Sequence, residues 1–212
     1  MIKLINAIEI NPLQYAGENH ELPEISDYPD PEKWFGKWKE VASALNCNFK
    51  VIGENSDLVD IETIDDENLE MILEKAENWC AAFDGGIVMI ENNKIRIEPQ
   101  CCGNMENIRE WQKIFDNKTS DWSEMWIGHP WIFYRKQKGK VQFSDYSDVD
   151  LKEIKDIEPI FEVDEAELKN EFQKVKQYQI HFKNRITAIL KKMNVDSADE
   201  ISALLMGINE IN

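Results

Sequence analysis

The most regular pattern of apolar and polar positions begins at Asp65 or Asp66. Leu69, Ile72, Leu73, Ala76, Trp79, Cys80 and Phe83 recur every three or four residues and so line one face of a helix. Gly85-Gly86 follows, and is expected to stop that helix as a left-handed C-terminal cap. A second long period runs through Leu168, Phe172, Val175, Phe182, Ile186, Ile189 and Leu190. It predicts a helix from Asp164 to about Met193, opened by the capping-box-like Asp164-Glu165-Ala166-Glu167. Ser197-Ala198-Asp199-Glu200 repeats the start signal for a short terminal helix carrying Ile201, Leu204, Leu205 and Ile208.

Two further helices are predicted. Asp30-Pro31-Glu32 combines a capping side chain, a proline suited to the first turn and an acid at the positive end of the dipole. Trp34, Trp38, Val41, Ala42 and Leu45 then fall at helical spacing. A helix from about Asn104 to Phe115 turns Ile108, Trp111 and Phe115 inward. Short β-branched runs predict strands at 1–10 and 49–52, separated by a polar loop over 11–29. A hairpin is expected at 87–90 and 94–98 around Asn92-Asn93, because asparagine tolerates positive φ. Another joins 126–136 to 140–146 around Lys138-Gly139, and a polar connector covers 148–160.

Strands joined by hairpins, with helices between and after them, predict an α+β fold: a mainly antiparallel sheet with packed helices and a C-terminal helical pair. Residues 1–150 form the α+β core, and 151–212 form a helical segment packed on it, giving one domain overall. At 212 residues the chain is long enough to bury a substantial core.

Charge narrows the classes of function. The net charge of −17 argues against nucleic acid, whose phosphates demand basic surface. It is compatible with solubility or with steering towards a basic partner. No stretch approaches the roughly 18 uninterrupted apolar residues of a membrane span, and the start lacks the layout of a signal peptide. Four cysteines are too few for a disulfide scaffold, so reduced thiols in a cytoplasmic protein are expected. Cys80 would face the core from its helix. Residues 54–74 hold nine acids and no Lys or Arg, whereas 172–193 hold six Lys or Arg and no acid. These two regions either face each other within the molecule or leave Asp57, Asp60, Glu62, Asp65 and Asp66 as a docking strip for a cationic protein.

Candidate chemistry concentrates in residues 98–134, with Cys101, Cys102, His129 and four of the seven tryptophans. Cys101 and Cys102 lie between a strand end and a helix start, where the dipole could lower a thiol pKa. His129 would then be the base, or the three would ligate a metal with a fourth residue. The usual spaced cysteine pair of a zinc site is missing. The plainer alternative puts one cysteine in the core and the other under a neighbouring loop, with His129 a structural histidine. Trp126 and His129 lie where glycine and proline break a strand and display large rings. Trp122, between Asp121 and Ser123, is the tryptophan expected to be exposed, while Trp111 and Trp131 belong in the core. No phosphate-cradling glycine loop, nucleophile elbow or metalloprotease helix is present. Asp145, Asp148 and Asp150 alternate but lack the glycine and final glutamate of a calcium loop. No cofactor is expected.

Three short stretches carry a resemblance: Asp-Pro-Glu-Lys-Trp at 30–34, Glu-Pro-Gln-Cys-Cys-Gly-Asn at 98–104 and Trp-Ile-Gly-His-Pro-Trp at 126–131. In these the chain resembles acidic, Trp-rich bacterial proteins, some of which serve as immunity partners of polymorphic toxins, including a group related to yeast cell-wall regulators. The resemblance implies a protein-binding role and assigns no functional residue. The expectation is therefore a non-catalytic cytoplasmic protein-binding module, in its concrete form an immunity-type inhibitor masking a basic partner. The alternative is a thiol- or metal-dependent enzyme centred on Cys101, Cys102 and His129. A third option is a structural subunit that oligomerises through the helical tail.

Overall fold

The computed structural model describes residues 1–10, 22–44, 49–53, 57–76 and 79–208. Over these residues the protein is α+β, with two four-stranded antiparallel sheets and C-terminal helices. The first sheet has the order β2-β1-β3-β4, from Leu58–Asp60 (β2), Ile2–Glu9 (β1), Gly85–Glu91 (β3) and Lys94–Ile97 (β4). The second runs in chain order through Ser123–Met125 (β5), Ile132–Gln137 (β6), Lys140–Phe143 (β7) and Phe161–Asp164 (β8). Five helices accompany them: Pro31–Ala44 (α1), Asp66–Lys75 (α2), Ile108–Asp116 (α3), Glu165–Lys192 (α4) and Ala198–Leu205 (α5).

β1 is buried on both faces, which is why its sequence is almost continuously apolar. Ile2 and Leu4 enter one core with Met89, Trp111, Phe143 and Phe172. Ile8 enters a second with Leu69, Leu73, Phe182 and Leu190. Ile5 and Ala7 point to the opposite face, onto Leu58 and Val88. α4 begins at Asp164, whose carboxylate accepts the N–H groups of Ala166 and Glu167 at 3.0 Å. Its first half fills the first core and its second half fills the other. Among the described residues no helix is long and apolar enough to cross a membrane.

Several local expectations are corrected. α2 ends at Lys75, with Ala76 as its cap, rather than at Gly85-Gly86, and the indole N–H of Trp79 donates to the Leu73 carbonyl in its last turn (3.2 Å). Cys80 is consequently exposed, not on a buried helix face. Gly85 and Gly86 open β3 with φ of +126° and +141°. A Cβ on Gly85 would lie 2.3 Å from the Ala7 carbonyl oxygen, so the glycine lets β3 press against β1. Residues 49–52 contribute only an isolated bridge, Val51 to Val59, before Gly53 turns the chain at φ +82°. Residues 126–131 are a loop and not the start of a strand; β6 begins at Ile132. The short strands β2, β5 and β8 have too few residues to show a period of their own. Ser197 sits at φ +56° and makes no capping bond. Leu45, Cys47 and most of the 11–29 loop lie outside the described residues.

Candidate functional site

The site is a knuckle between β5 and β6. Met125 pairs with Ile132, which leaves residues 126–131 to turn the chain. Ile127 anchors the loop from within the core. Its carbonyl accepts the Gln100 N–H at 2.8 Å, and the His129 N–H donates to the Cys101 carbonyl at 2.8 Å. On the other flank Trp131 and Ser147 exchange backbone bonds of 3.1 and 2.8 Å. Gly128, at φ +113°, permits this seam: a Cβ there would lie 2.3 Å from the Gln100 carbonyl oxygen. The His129–Pro130 peptide is cis. Tyr146 ties the two flanks together, its hydroxyl accepting the Glu98 N–H at 3.0 Å.

This scaffold holds three rings in a row. Trp126 is 42% exposed and stacks on Trp131 with centroids 5.6 Å apart. His129 lies 5.3 Å from the Trp131 ring, and its Nδ1 is 2.9 Å from Asp148 Oδ1. Trp126 is thus the tryptophan displayed at the surface. Trp122, expected in that role, is half-buried under the guanidinium of Arg135, 4.6 Å from its ring centroid. Trp111 is fully buried as expected, but Trp131 is only half-buried. The three segments that build the knuckle, 98–103, 125–131 and 145–150, contain Glu98, Asp145, Asp148 and Asp150 and no Lys or Arg.

Cys101 and Cys102 lie at the base of the knuckle, and both are exposed, against the expectation that one would enter the core. Their sulfurs are 3.6 Å apart. The hydrogen bond to Cys102 pushes the Cys101 thiol pKa up, helped by the nearby charges of Cys102, Glu9 and Asp84. That direction is opposite to the lowered pKa expected of a nucleophile at a helix start. The reason is local: a 3-10 turn, Met105–Asn107, intervenes before α3, and it is capped by Asn104 rather than by a cysteine. His129 is bridged to Cys101 through the backbone, while its imidazole is engaged by Asp148. Among the described residues no group of three or more His, Cys, Asp or Glu side chains is placed to hold a metal ion.

The acidic strip is largely engaged within the chain. Asp60 accepts the Glu62 N–H at 3.0 Å, and Asp65 caps α2 through the Asn68 N–H at 2.8 Å. Asp66 is 2.7 Å from Arg185, whose other bond, of 2.6 Å, goes to the Ile64 carbonyl. Glu70 holds Lys192 at 2.7 Å, and Glu62 lies 3.9 Å from His181. The Asp57 carbonyl accepts the Ile10 N–H at 2.9 Å, and its side chain is half-buried. The structure therefore brings Cys101, Cys102, Trp126 and His129 into one region and places Asp57, Asp60, Glu62, Asp65 and Asp66 outside it, with Glu62 and Asp66 against the second half of α4. Sequence reasoning missed Asp148 and the role of Trp131. The only signal for Asp148 was its place in an acidic run, which resembled an incomplete calcium loop. Comparison with protein-family models, curated proteins and solved structures finds no match to this chain.

Proposed function

We propose that this chain is a non-catalytic protein-binding module that seats a basic partner on the Trp126 knuckle. The observation that carries the reading is the exposed Trp126 stacked on Trp131 in a loop bonded on both flanks. A large ring held rigid before binding loses little entropy when it is covered, which is the usual character of an interface anchor. The flanking segments supply acids and no bases, so a cationic side chain is the complementary contact for both the ring face and Asp148. The residues of the 54–74 strip that face α4 are engaged there, so the knuckle is the better candidate of the two surfaces. In its concrete form the reading is an immunity-type inhibitor that covers the basic site of its partner in the cytoplasm.

The test is capture from native extract at low and moderate salt with the wild-type chain, Trp126→Ala and Asp66→Asn. Titration of the captured partner against each purified chain follows. A single basic partner is expected. Its association should slow as salt rises, its affinity should fall by a factor of roughly 30 or more in Trp126→Ala, and it should be unchanged in Asp66→Asn. Equal binding by the wild-type and Trp126→Ala chains, or an absence of any partner, refutes the proposal.

A further inference from the structure

The face shared by α4 and α5 has no part in the reading above. Phe182, Ile186 and Leu190 turn one side of α4 into the second core. Ile180 stands off that stripe and is 44% exposed. α5 buries Ser202 and Leu205, and leaves Ala203 and Leu204, with Ile208 just beyond them, half-buried. These side chains line a groove of about 650 Å³, with Lys183 on its α4 wall and Glu200 on its α5 wall. Residues 172–193 carry six bases and no acid. Five of the bases are engaged within the chain: Lys174 with Glu171, Lys176 with Gln112, Arg185 with Asp66, Lys191 with Asp199 and Lys192 with Glu70. Lys183 is the sixth. Among the described residues its side chain makes no hydrogen bond or ion pair, and neither does that of Glu200 across the groove.

We propose that this groove is a self-association surface, occupied by a second copy of the chain about a two-fold axis. A net charge of −17 makes two copies repel over most of their surface. Contact therefore needs a face where a base of one copy meets an acid of the other. An unpaired Lys183 opposite an unpaired Glu200 supplies both on one apolar groove. Ile180 and Lys183 are three residues apart and share one side of α4. When Ile180 of one copy enters the apolar floor of the other, Lys183 is carried towards Glu200 of the second copy, and the two-fold axis repeats the contact. The apolar floor loses its water, and the reciprocal ion pairs fix the register. The contact makes no use of Trp126, so this proposal and the partner reading can each fail while the other holds.

The test is sedimentation equilibrium of the full purified chain alone, over a micromolar-to-millimolar series. A monomer–dimer equilibrium is expected. Ile180→Glu sets a carboxylate in the apolar floor, and Lys183→Glu turns both symmetric contacts repulsive. Each should weaken the dimer by roughly a hundredfold. Glu200→Lys should do the same, whereas Lys183→Glu combined with Glu200→Lys should recover the wild-type constant, because the pair returns with its signs exchanged. None of the three side chains is buried, so the far-UV spectrum should be unchanged in every variant. A wild-type chain that stays monomeric throughout overturns the proposal, and this arm needs no variant to fold. A dimer that survives Ile180→Glu at full strength, or that the double charge exchange does not restore, overturns it as well.

Discussion

Tyr146 shows how much one residue at the knuckle depends on its surroundings. Burial pushes its hydroxyl pKa up, outweighing the hydrogen bond from the Glu98 N–H. A phenol whose folded pKa is raised keeps its proton where the unfolded chain has lost it. Stability is therefore unaffected below the ordinary value of about 10 and falls as pH rises from there through the folded value. Equilibrium unfolding in urea should show wild type losing stability above that pH more steeply than Tyr146→Phe, and equal slopes would contradict this. The phenylalanine variant should start lower, by about 1–3 kcal/mol, because it leaves the Glu98 N–H unpaired. Tryptophan exposure was less legible at this scale. Trp122 has polar neighbours in sequence, yet Arg135, on the paired strand, covers it. Trp126 is displayed because Ile127 beside it, and not the tryptophan, is the loop's anchor in the core.

At the scale of the element, α4 was legible almost completely, because 28 residues give a 3.6-residue period many turns in which to show itself. Its buried polar positions, Gln179 and Thr187, were not. Gln179 lies in the apolar face and donates to the carbonyls of Met105 and Met206 at 3.1 and 2.5 Å, joining the turn before α3 to the end of α5. Gln179→Leu keeps the volume and removes both bonds. It should cost on the order of 1–3 kcal/mol for each carbonyl left unpaired, whereas Gln173→Leu on the exposed face should stay within about 0.5 kcal/mol. Chemical denaturation of the two variants checks this; equal losses would mean that Gln179 is not a tie between elements. The end of α2 illustrates the opposite case. The apolar stripe continues past Ala76, but Trp79 lies beyond the helix and bonds back to its last turn, and a stripe cannot distinguish a side chain packed on a helix from one packed under it.

For the whole molecule, the sharing of α4 has a cooperative consequence. Phe172 belongs to the core between α3 and the second sheet, and Phe182 to the core around α2 and α5. Neither core is complete without the same helix. Tryptophan fluorescence and far-UV circular dichroism should therefore report one coincident unfolding transition. Phe172→Ala and Phe182→Ala should each move the entire transition by about 3–5 kcal/mol. Separate transitions, one for each phenylalanine, would show the cores to be independent.

The α+β class, the long helix, the hairpin turns at Asn92-Asn93 and Lys138-Gly139 and the inward Trp111 followed from the sequence by itself. Each rests on local rules, such as the period of apolar residues, tolerance of positive φ and side-chain capping, that act over a few neighbouring residues. The division into two sheets, the strands β2, β5 and β8, and the pairing of Asp66 and Glu70 with α4 were decided only in the tertiary structure. A three- or four-residue strand carries no period, and its pairing is settled by partners far along the chain. The knuckle belongs to the same class. Trp126, His129, Asp148 and the two thiols meet because backbone bonds bring residues 98–103 and 145–150 to either side of one loop, a juxtaposition of segments that sequence spacing does not encode.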